Sequence, residues 1–155
     1  IFSNPYFKEE TIAVRHNTRS SIALVKDFTN HKIGVELDTL PDFYLVGTMG
    51  GRFRSNVTHY SSVEEAVQAL KEGEVSSVVA PRSQIESALG VNADEYIFTP
   101  VSMPLSYQST WTVGMAVKEG RQALVDKLTV AINELKKSGE LSALFKKYNT
   151  TFISP

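Results

Sequence analysis

Through the first hundred residues, short β-prone runs and helix-patterned segments take turns, and the joints between them are only a few residues long. Thr11 to Arg15 (TIAVR), Ile33 to Leu37 (IGVEL), Val57 to Tyr60 (VTHY) and Ser77 to Ala80 (SVVA) carry the β-branched and aromatic residues of strands, with turn residues beside them. Helical patterns at 20–29, 42–49, 62–71 and 82–89 fill the gaps. Strands joined through helices need crossover connections, and crossovers give a largely parallel sheet with helices on both faces. The alternation therefore predicts an α/β layer domain.

Local punctuation supports these elements. Pro41 sits in the first turn of the second helix, and Gly50-Gly51 closes it. In the third helix Ser61 or Ser62 can accept the orphan amide hydrogens, Glu64 and Glu65 suit the positive end, and Gly73 stops the helix. Val63, Ala66, Val67 and Leu70 give that helix one apolar face. Trp111 to Val117 (WTVGMAV) reads as one more strand. After Lys118 the pattern is helical throughout. Leu124, Leu128, Ala131, Ile132 and Leu135 form one stripe, and Leu141, Leu144, Phe145 and Tyr148 form another beyond Gly139. Both stripes need a surface to pack on.

Composition narrows the function classes. Sixteen Lys plus Arg against seventeen Asp plus Glu leave no basic surplus, so nucleic acid is not an expected partner. The chain has no cysteine, which removes disulfides, thiol catalysis and cysteine metal sites together. No residue pattern implies a metal or other cofactor. Residues 96–117 contain no Asp, Glu, Lys, Arg or His, but Pro100, Pro104, Gln108 and several hydroxyl residues rule out a membrane span there. His16, His31 and His59 are scattered, and neither a paired-histidine helix nor a G-x-S-x-G elbow occurs. "GTMGG" at 47–51 follows a helix, the wrong context for a phosphate cradle, and reads as a helix stop. The paired carboxylates Glu64-Glu65 and Asp94-Glu95 read as solvated. An enzyme is not expected.

The segments FSNPYF (2–7), KIGVELDT (32–39), YSSVEEAVQALKEGEVSSVV (60–79), TVGMAVKEG (112–120) and LTVAINELKKSGELSALFKKY (128–148) occur in one familiar order. In that order the chain resembles the C-terminal two thirds of an extracellular solute-binding protein of family 3, the amino-acid-binding type. The resemblance implies a periplasmic-binding-protein-like type II fold: a hinge segment at 1–18, a second α/β lobe at 19–96, a return crossover at 97–118 and C-terminal helices at 119–155. It also implies export to the periplasm or the cell exterior. The family's first lobe precedes the Pro-Tyr motif and is outside this sequence. A chain of only these residues would self-associate or adopt a swapped arrangement through its terminal helix stripes.

The resemblance also places the candidate binding residues. The family's loop after the second strand binds a ligand carboxylate with backbone amides and a hydroxyl at a helix N-terminus. Here that loop runs Leu37-Asp38-Thr39-Leu40-Pro41, so Thr39 matches one hydroxyl, while Asp38 and Leu40 depart from the pattern. Thr39 is either an anion binder or a helix cap. The family's "GRVDAVVAD" ends on an Asp that pairs with the ligand's α-amino group. In this sequence Pro81 holds that position, and proline neither donates nor ion-pairs through its ring. Arg82 follows at the carboxyl end of a strand, where open α/β sheets place their ligand crevices, with Ser83 beside it. A guanidinium there suits a carboxylate or phosphate; the alternative is a helix-start arginine pointing into water. Trp111 and Tyr107 fall at the second crossover, as stacking rings for a ligand or as core, and Tyr6 belongs to the hinge.

The resulting expectation is a non-catalytic module whose usual amino-acid ammonium site is lost and which binds another small solute for a membrane transporter or sensor, Arg82 being suited to an anionic one. The alternative is an interaction module that serves a partner enzyme, because "TPVSMP" with "WTVGMAVKEG" is similar to accessory proteins of quinoprotein methanol dehydrogenases. A dehydratase-like enzyme on the same fold is the third reading.

Overall fold

The computed structural model describes residues 1–18, 31–104 and 108–155. The helix expected at 20–29 and the side chain of Tyr107 lie outside the described residues. The chain divides into two compact units, one formed by Glu10–Ser109 and the other by Ile1–Glu9 with Thr110–Pro155.

The first unit is built on the strands β1 (Phe7–His16, from Glu10 onward in this unit), β2 (Ile33–Glu36), β3 (Val57–Tyr60), β4 (Ser77–Pro81) and β5 (Tyr96–Pro100), in the order β3-β2-β4-β1-β5. β2 pairs in parallel with β3 and with β4. β1 is antiparallel to both β4 and β5, with Thr11 opposite Pro81. The sheet is therefore mixed, and its parallel part carries the helices α1 (Leu40–Gly47), α2 (Val63–Glu72) and α3 (Arg82–Leu89). β5 was not anticipated: Tyr96-Ile97-Phe98-Thr99 has strand composition, but it opens the uncharged stretch assigned to a crossover. The compact unit runs from Glu10, inside β1, to Ser109, beyond β5.

Alternation along the strands separates two cores. Ile12, Val14, Val78 and Ala80 face α2 and α3, meeting Val63, Ala66, Val67, Leu70, Ile85 and Leu89. Their neighbours Ala13 and Val79 face the other way with Ile33 and Val35, onto Tyr44, Leu45 and Phe53. Successive side chains of a strand point to opposite faces, so one run such as Val78-Val79-Ala80 feeds both layers. Gly34 faces the α2–α3 layer: a Cβ there would stand 3.2 Å from the Tyr60 ring and 3.3 Å from Val78.

The caps that hold α2 are those of a capping box. Ser62 Oγ accepts the Glu65 N–H at 3.2 Å, while Glu65 Oε2 accepts from the N–H and the hydroxyl of Ser61 at 3.1 and 2.7 Å. These bonds hold the Glu65 carboxyl below its ordinary range. Gly73 ends the helix with φ 78°, a left-handed conformation that glycine adopts without a Cβ clash.

The second unit contains β6 (Thr110–Val113), α4 (Gln122–Ser138) and α5 (Glu140–Lys147). β6 is shorter than the expected strand, because beyond Val113 only an isolated bridge joins Ala116 to Phe2. Lys136 Nζ donates to the Pro5 carbonyl at 2.8 Å, and Phe7 packs on Phe145 with ring centroids 4.6 Å apart. The buried residues of α4 are Val125 and Ile132, and of α5 Leu141. Leu124 and Leu135, expected on the packed stripe of α4, are exposed, as are Val130, Leu144 and Tyr148.

Candidate functional site

Two junctions stand at the carboxyl edge of the parallel strands. At the first, β2 leaves the sheet at Glu36, and α1 begins at Leu40. Thr39 is the N-cap residue by conformation (φ −102°, ψ 166°), yet its side chain does not cap. Its hydroxyl instead donates back to the Glu36 carbonyl at 2.7 Å. Asp38 has φ 61°, and its N–H donates to Asp42 Oδ2 at 3.0 Å. Asp42 lies in the first turn of α1 and is 5% exposed. Its other oxygen, Oδ1, pairs with His59 Nε2 on β3 at 2.9 Å.

At the second junction, β4 passes into α3 with no intervening loop. Pro81 ends the strand and serves as N-cap with φ −58°, and Arg82 opens the helix. Arg82 neither points into water nor waits alone for an anion. Nε donates to Glu10 Oε1 at 2.5 Å, Nη1 reaches Glu86 Oε1 at 3.5 Å, and the guanidinium carbon lies 5.5 Å from the centre of the Phe98 ring. The Glu10 contact follows from register: Thr11 is opposite Pro81, and Glu10, two residues before Ile12, shares its sheet face with Ile12 and α3. The short bond to Glu10 is the stronger one, because charge-assisted pairs weaken steeply with distance. The two contacts use two of the five N–H donors of a guanidinium.

Of the other candidates, Ser83 follows Arg82 in the first turn of α3 and has bonding partners of its own. Trp111 is half-buried in β6 and belongs to the second unit, apart in sequence grouping from Arg82 and Thr39. Glu10, Asp42 and His59 were missed. The spacing Thr39-x-x-Asp42 carries the signature of a reciprocal helix start, which would have flagged Asp42. His59 and Glu10 have no local signal, since their partners lie 17 and 72 residues away.

The fold and these two junctions define an α/β layer domain with polar groups gathered where parallel strands end and helices begin. The sequence matches the family described as bacterial extracellular solute-binding proteins, family 3, over residues 1–151. The chain belongs to that family. It is 24% identical over 151 residues to a probable histidine-binding protein of Campylobacter jejuni, covering 95% of this chain and 54% of that protein. Among solved structures, the L-cystine solute receptor of Neisseria gonorrhoeae superposes with a TM-score of 0.70 at 20% identity, covering 100% of this chain and 62% of the receptor. An ancestral cationic amino acid solute binding protein gives a TM-score of 0.77 at 16% identity, covering 97% and 62% of the two chains. At such identities these likenesses concern the fold. The chain thus spans about half the length of its curated relative and about three fifths of the solved ones.

Proposed function

We propose that the chain is the solute-recognising part of an exported, non-catalytic solute-binding protein, and that its solute is a small molecule whose carboxylate is accompanied by a cationic group. The observation that carries this reading is the Arg82 junction. A guanidinium with donors to spare stands at the sheet edge, flanked by the carboxylates of Glu10 and Glu86. A solute carboxylate can take bidentate bonds from Arg82, but a purely anionic solute also meets two like charges. At about 4 Å and an effective dielectric of about 20, each such repulsion is about 4 kcal/mol before solvent screening. A neighbouring ammonium on the solute relieves that repulsion, and Glu10 supplies the acidic group that Pro81 does not. Thr39 lines the same edge from the adjacent strand. The names of the relatives, histidine-binding and cationic amino acid-binding, support a zwitterionic solute. Membership of the family supports delivery to a membrane transporter or sensor.

The test is thermal unfolding of the chain with L-histidine, L-arginine, L-glutamate and glutarate, the last lacking an amine. A native-state ligand raises the melting temperature by mass action. The expected result is stabilisation by at least one amino acid and none by glutarate, with the gain lost in Arg82→Lys, which keeps the charge but not the fork. Stabilisation by glutarate alone reverses the charge assignment, and an unchanged response in Arg82→Lys removes Arg82 from the site.

A further inference from the structure

Asp42 is a carboxylate on the buried side of its helix, and both of its oxygens are committed to different parts of the fold. Oδ2 accepts the N–H of Asp38, in the loop that leaves β2, and Oδ1 pairs with His59 on β3. An ionised carboxylate only accepts, so Nε2 of His59 carries the proton in this contact. Asp38 is one of three described non-glycine residues with positive φ, a conformation that crowds its Cβ and has to be held by its surroundings. It immediately precedes Thr39. One side chain thus joins the first turn of α1, an edge strand and a strained loop residue at the candidate solute edge.

We infer that Asp42 and His59 are a positioning pair for the solute-facing loop 37–39. His59 holds the Asp42 carboxylate in the orientation in which its second oxygen anchors the Asp38 amide. The left-handed turn at Asp38 then sets the direction in which Thr39 meets the solute. Neither residue touches the solute in this arrangement; both act through the backbone. The inference rests on reading the carboxyl edge of β2 and β4 as the solute site.

Substitutions at residue 59 separate positioning from bulk packing. In His59→Gln the carboxamide N–H can replace Nε2–H as donor, whereas His59→Phe fills the space without a donor. Two-dimensional ¹H–¹⁵N spectra of the 155-residue chain, with L-arginine as probe, report both the loop and the binding. The expected result in His59→Phe is a displaced Asp38 amide resonance, an altered HN–Hα coupling at Asp38, and an affinity for L-arginine lowered by about tenfold, roughly the loss of one charge-assisted hydrogen bond. His59→Gln should restore all three. If His59→Phe does not fold, Asp42→Ala supplies the same readouts, because it removes the acceptors of both Asp38 and His59. An Asp38 resonance and coupling indifferent to these substitutions would overturn the pair. So would a displaced Asp38 with unchanged affinity. If L-arginine moves no resonance at 37–40 in the unsubstituted chain, the solute-edge reading fails first and the inference falls with it.

Discussion

The two units of this chain treat apolar surface in opposite ways. In the sheet unit each strand divides its side chains between two cores, and Ile12, Val14, Ile33, Val35, Leu45, Phe53, Val78 and Val79 have essentially no solvent contact. In the helical unit α4 buries Val125 and Ile132, while Leu124, Val130 and Leu135 remain open, and α5 buries Leu141 but leaves Leu144 half exposed. The helices are as amphipathic as those of the sheet unit; what differs is how much of each apolar stripe meets a partner. A periodic stripe therefore shows that a face is able to pack, and the extent of packing depends on what lies opposite.

Substitutions can break that contrast. Phe53→Ala empties a fully buried site and is expected to cost about 3–5 kcal/mol, against less than about 1 kcal/mol for Leu144→Ala. Denaturant midpoints with unchanged m-values check both, and equal losses would show that the helical unit is sealed as tightly as the sheet unit. A smaller effect is expected at the Arg82 junction. Removing the guanidinium in Arg82→Ala takes one ion-pair partner each from half-buried Glu10 and buried Glu86, for a loss of about 2 kcal/mol, below the fully buried, singly paired case because Arg82 and Glu10 retain some solvent contact and both carboxylates keep other interactions. Adding Glu10→Gln should recover part of that loss, and a double-mutant cycle without coupling would mean that the pair is incidental.

The smallest effect belongs to the α2 cap. Ser62→Ala should cost about 1 kcal/mol. Because hydrogen bonds from Ser61 lower the Glu65 carboxyl in the folded chain, its contribution is complete above the unfolded carboxylate range and is lost as pH falls through the folded one. Acid titration of Glu65→Gln beside the parent chain tests the sign: the gap in stability should narrow toward acid, and a gap that widens would contradict the assignment.

Legibility in the sequence followed the range of the interactions. α2 was read to within a residue or so, because its start, stop and apolar face are set by residues within one or two turns. The strands β2, β3 and β4 were equally visible as β-branched runs. β5 was missed because an uncharged, proline-bounded stretch resembles a linker until β1 is found beside it, and the far half of the expected strand at 111–117 lacks pairing beyond one bridge. The direction of β1 within the sheet is a tertiary fact that no periodicity encodes. At the site, the position of Arg82 at the end of β4 was legible, while its engagement by Glu10 depended on a register set 72 residues away. Thr39 was located correctly as a helix-start residue, but the choice of its hydroxyl to bond backward to Glu36 was not.

Pro81 does more than withhold a carboxylate. Its ring confines φ near the observed −58° in the unfolded chain as well as in the folded one, so the joint between β4 and α3 gives up less backbone freedom on folding than another residue would. The strand turns into the helix without a linker whose wandering would have to be arrested. The side chain that follows is delivered at a nearly fixed angle, beside the Glu10 carboxylate that it engages.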